Sequence, residues 1–148
     1  MKNIIVFILL IFPFLSGKVL LPQKNVKSES LYMGEKVREY YMLDDNSYVV
    51  SGPSIVSVYA RSAVPKNVKG KNSLSIITFL SDAPKSIHKF SKIVDSSVSS
   101  SLHPMHRYTK SAKVEIEIPK GKFILSVENP SPSENPILTR VIQKRHKK

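Results

Sequence analysis

A chain of 148 residues with 23 Lys and Arg against 11 Asp and Glu carries a formal charge of +12, and it has neither cysteine nor tryptophan. The missing thiols exclude disulfides, thiolate chemistry and a lipid anchor on an N-terminal cysteine, so the fold must rest on its apolar core. The basic excess favours attraction to anionic surfaces and excludes nothing about fold.

Residues 1–17 read as a secretory signal peptide. Met1-Lys2-Asn3 is a short basic start, Ile4 to Leu15 is almost wholly apolar, and Ser16-Gly17 offers small residues for cleavage. The apolar run is shorter than the ~20 residues of a membrane span, and Pro13 interrupts it. Cleavage would remove only Lys2 from the charge, leaving 22 basic against 11 acidic side chains, or +11. The mature chain is therefore expected outside the cytoplasm, secreted or periplasmic, with no transmembrane helix. Residues 18–34 are polar and basic without periodicity, and are expected to form a flexible leader.

The folded domain is expected over 35–143. Glu35 to Leu43 alternates Val37, Tyr41 and Leu43 with Lys36, Arg38 and Tyr40, as a strand with one charged face. Asp44 to Ser47 is a turn, because short polar side chains bond their own backbone there. Tyr48 to Ser51 is a short strand, broken by Gly52-Pro53-Ser54, and Ile55 to Ala63 begins another. Pro65 to Asn72 is a basic loop. Ser73 to Leu80, SLSIITFL, is apolar on both alternations, which predicts a strand covered on both sides. Ser81 to Pro84 is a turn, and Ser86 to Val94 reads as an edge strand. Residues 95–112 are a loop or a weakly marked strand.

Lys113 to Glu128 is the best-patterned stretch. Val114, Ile116 and Ile118 share one alternation, Pro119-Lys120-Gly121-Lys122 interrupts it, and Phe123, Leu125 and Val127 resume it one step out of phase. Folded about that interruption, the stretch predicts a hairpin with Ile116 facing Leu125. Asn129 to Pro136 is a loop, Ile137 to Ile142 a last strand, and residues 144–148 a basic tail. About seven to nine short strands with regular turns predict a single antiparallel β-sandwich, immunoglobulin-like or jelly-roll.

Catalytic patterns are missing. No serine sits in a Gly-X-Ser-X-Gly elbow, and there is no phosphate-binding glycine loop. Glu115 and Glu117 lie on one strand rather than across a cleft, unlike the carboxylate pair of a glycosidase. His103-X-X-His106, with Met105 between them and His88 upstream, hints weakly at copper, but a spacing of three is arbitrary in a loop. The expectation is a protein that is not an enzyme and needs no metal or cofactor.

Basic residues carry the remaining signal. Lys66, Lys69 and Lys71 share one loop, and Lys120 and Lys122 would project from the hairpin tip. If both lie at one end, they form a site for an anionic ligand. Tyr40, Tyr48, Tyr59 and Tyr108 would add flat contact faces for sugars. No recognition motif for sequence-specific nucleic acid is present. The chain therefore reads as an exported, non-catalytic binding or adaptor module. Its expected partner is an envelope protein or an anionic polymer, whether polysaccharide or membrane lipid headgroup. The alternative is a structural envelope component docking through sheet edges. A small hydrolase or a His/Met metal protein ranks behind both.

Overall fold

The structure, a computed structural model, describes residues 17–132 and 135–145. The expected signal sequence up to Ser16, and the end of the basic tail from His146, lie outside the described residues. Ten strands follow in order: β1 Lys18–Leu20, β2 Ser28–Met33, β3 Lys36–Met42, β4 Asn46–Pro65, β5 Lys71–Leu80, β6 Ser86–Asp95, β7 Val98–Ser99, β8 His106–Thr109, β9 Ala112–Glu128 and β10 Ile137–Arg145. Every pairing is antiparallel. Among the described residues there is no helix, and hence none long and apolar enough to cross a membrane.

The all-β, antiparallel expectation holds, but the architecture is not a clearly defined sandwich. Strands β4, β8, β6, β5 and β9 are neighbours in that order, and β9 pairs back onto β4, closing a five-stranded barrel. The remaining strands extend from β4 through β10, β3, β2 and β7, with β1 on β10. Closure onto β9 leaves β4 paired on both sides from Ser54 to Ala60, where an open sheet would expose an edge.

The largest correction concerns the hairpin. Lys113 to Glu128 does not fold back on itself but runs as one strand, β9, alongside β4. Ile116 pairs with Val56 and Leu125 with Tyr48, not with each other. Between the Gly52–Gly121 and Ser54–Ile118 pairs, β4 has one residue, Pro53, where β9 has two, Pro119 and Lys120. That extra residue is a β-bulge, and it shifts the alternation by one. Val114 and Ile118 before it, and Leu125 and Val127 after it, therefore all enter one core. A turn and a bulge leave the same phase change in the sequence. Gly52-Pro53 likewise does not end a strand, because Pro53 sits opposite the bulge, where a missing N–H costs the ladder least.

Two hydrophobic clusters result. The larger lies along β4, β5 and β9 and includes Tyr48, Val56, Val58, Ile76, Val114 and Leu125, with Ile116 only partly buried against it. The smaller joins Leu31, Tyr40, Ala63, Val98, Tyr108 and Leu138. Leu31 belongs to the stretch read as a leader. Residues 18–34 instead supply β1 and β2, paired with β10 and β3. Lys144 and Arg145, assigned to the tail, end β10. In β5, Leu74, Ile76 and Thr78 are buried while Ile77 and Phe79 are half-buried, so its coverage is not equal on the two faces.

Candidate functional site: a basic groove between β4, β6 and β8

The loop 66–70 joins β4 to β5 and is tied down by backbone. Val68 N donates to Pro65 O at 3.0 Å, and Val94 N donates to Gly70 O at 2.9 Å. On the far side of β6, Lys110 N donates to Ile93 O at 2.8 Å. Tyr108 on β8 is buried, so Arg107, one step along, faces the other way. Lys66, Lys69 and Arg107 converge on a groove of about 460 Å³ whose apolar wall is Val68, Ile93 and Val94, and among the described residues no acidic side chain lines it. Ile93 is 48% exposed. Asp95 stands just beyond the groove, with its Oδ1 accepting from the Ser97 hydroxyl at 2.6 Å and the Ser97 N–H at 3.0 Å. Those bonds, against opposing desolvation, hold its carboxyl below the usual range.

The structure divides the expected basic cluster. Lys71 begins β5, across from Ile93, beside the groove but not lining it. Lys120 and Lys122 are exposed at the bulge, near the Gly52–Gly121 pair. Gly52 lies thirteen residues before Pro65 on β4 (65 less 52), roughly 40 Å of strand contour. The two lysine groups do not form one patch, because no hairpin tip exists to carry Lys120 and Lys122 to the loop end.

The tyrosines are corrected too. Tyr40, Tyr48 and Tyr108 are buried and offer no face to a sugar; Tyr59 is half-buried, with Lys113 Nζ 5.7 Å from its ring centre. Tyr40 and Tyr108 belong to a buried polar network. Arg61 donates from Nε to the Tyr40 hydroxyl at 3.2 Å and from Nη1 to Thr109 O at 2.9 Å. Tyr108 donates through its hydroxyl to the Glu29 carboxylate, which is also 3.9 Å from His103 Nε2. Neither Glu29 nor Arg61 stood out in the sequence. The available signal was Leu31 and Met33, which continue the alternation begun by Glu29 and mark β2 as a strand rather than a leader.

His103 and His106 stack with ring centres 4.9 Å apart, and His88 is elsewhere, bonded to Thr78 Oγ1 at 2.9 Å. Among the described residues, no group of three or more His, Asp or Glu side chains is arranged to hold a metal ion.

Burial first, and then the adjoining Glu29 carboxylate, push the Tyr108 phenol well above its ordinary value. The folded state then keeps a proton that the unfolded chain releases near pH 10. Stability from this group should thus be fully present below about pH 10 and fall as pH rises beyond it. Urea midpoints between pH 8 and 11 should show that decline, with a shallower slope in Tyr108→Phe. An identical slope in the variant would show that Tyr108 does not control alkaline stability.

Comparison with protein-family models finds no match, and comparison with curated proteins finds none either. Among solved structures, the chain is similar to an exo-beta-1,3-galactanase from Phanerochaete chrysosporium with galactose, at 11% identity and a TM-score of 0.39, over 86% of this chain and 29% of that one. A variant of that enzyme with beta-1,3-galactotriose gives 10% identity and a TM-score of 0.39 over the same shares. The chain spans less than a third of those structures, and likeness at that level carries no functional information.

Proposed function

We propose that this chain is an exported, non-catalytic β-domain that binds an anionic polymer of the cell envelope through the groove between the 66–70 loop, β6 and β8. The observation that carries the reading is the convergence of Lys66, Lys69 and Arg107 on one cavity that no carboxylate among the described residues lines. Three cations beside an apolar wall suit a ligand whose anionic groups are attached to a less polar body, such as an acidic glycan or a lipid headgroup. Electrostatic attraction of this kind weakens with salt, as the screening length falls from ~10 Å at 0.1 M to ~3 Å at 1 M.

The test is binding to acidic polysaccharide and to phosphatidylglycerol vesicles at low and high salt. Lys66→Glu with Lys69→Glu should weaken binding about tenfold or more, since each basic residue near an anionic surface contributes about 1 kcal/mol. Lys120→Glu with Lys122→Glu should leave most of it intact, because those residues are remote from the groove. Binding that ignores salt and the first pair, or that follows the second pair instead, would rule the groove out.

A further inference from the structure

Leu102 and Met105 are 65% and 66% exposed, and both lie on the turn that leads into β8. Single apolar residues on a surface are ordinary. These two share one turn, and that turn is anchored. His106 N donates to His103 O at 3.1 Å, and the two imidazole rings stack. His103 also faces the buried Glu29 carboxylate, which accepts from the Tyr108 hydroxyl. The histidines hold the turn, and Leu102 and Met105 are left in water.

Cations lie around this turn. His106 pairs with Pro65 on β4, so Met105 and Lys66 each stand one step beyond that pair, at the same end of the barrel. Arg107, two residues after Met105, lines the basic groove with Lys66 and Lys69. Leu102 borders a second cleft, of about 310 Å³, together with the exposed Lys27. Glu29 is the one acidic side chain in that cleft's lining among the described residues, and it is buried. Apolar side chains ringed by cations suit a bilayer of anionic lipid, whose headgroups meet the cations while the apolar tips reach the acyl boundary. A soluble anionic polymer would meet the same cations and leave Leu102 and Met105 in water.

We infer that this end of the barrel docks on an anionic lipid bilayer, with Leu102 and Met105 inserted below the headgroups and Lys66, Lys69 and Arg107 among them. The inference rests on the anionic groove proposed above, and narrows its ligand from any acidic envelope polymer to lipid.

The chain has no tryptophan, so Met105→Trp supplies a single fluorescent reporter. Its emission should shift to the blue when phosphatidylglycerol vesicles are added, and lipids brominated on the acyl chain should quench it. Acidic polysaccharide should do neither. In co-sedimentation, Leu102→Ser with Met105→Ser should weaken vesicle binding about tenfold or more, because the buried apolar area is lost. Any binding of polysaccharide should be unchanged in the same variant, and so should its circular dichroism. Vesicle binding without a blue shift or quenching, vesicle binding unaffected by the serine pair, or no vesicle binding would each overturn insertion. The groove would still stand after any of these if polysaccharide binding depended on salt and on Lys66 and Lys69.

Discussion

Gly52→Ala should destabilise the protein by about 3 kcal/mol or more, at the upper end of what over-packing does. At Gly52, where β4 passes the β9 bulge, an added Cβ would sit 1.8 Å from Pro119 O and 2.4 Å from Ile118 O. Both obstacles are backbone, in the bulge that sets the facing of β9, so no side chain can rotate away to relieve them. Relief requires β4 and β9 to separate at their longest pairing, which spans Asn46 to Ala60 on β4. Gly34 is the control. It has φ +67° with nothing within 4 Å of an added Cβ, so Gly34→Ala should cost only the left-handed strain, about 1–2 kcal/mol. Urea unfolding of the two variants should separate them clearly. A Gly52→Ala variant as stable as Gly34→Ala would mean that the two strands do not approach in this way.

Leu125→Ala should cost ~2–5 kcal/mol, while Ile124→Ala should cost about 1 kcal/mol or less. The residues are adjacent and of similar size, but they face opposite ways. Leu125 is fully buried opposite Tyr48, and Ile124 is 38% exposed opposite Val49, itself 53% exposed. Ile116→Ala should fall between them, because Ile116 is partly buried against the main core. Chemical denaturation of the three variants measures the facing of β9 after the bulge. Equal losses at 124 and 125 would place the extra residue somewhere other than Pro119-Lys120.

The alternation of Val114 to Ile118 and of Phe123 to Val127 was enough to identify strands and their buried faces, because a period of two depends only on the pleat of the chain. The absence of helical periodicity likewise settled the all-β class. What joined those strands was not local. Pro119 to Lys122 has the composition of a turn, yet the same residues form a bulge because β4 is present to pair with both halves of β9. That pairing links residues far apart in the chain, and no short-range pattern encodes it. The site shows the same division. Lys66 and Lys69 were legible as a basic loop, but their distance from Lys120 and Lys122 follows from the barrel, and Arg107 joins them only because β8 pairs with the end of β4. Tyr40, Tyr48 and Tyr108 looked like contact faces, since an isolated tyrosine gives no sign of whether its ring is covered. Burial is decided by what packs against the strand, and for Tyr108 that is Glu29, brought in from β2 at the other end of the chain.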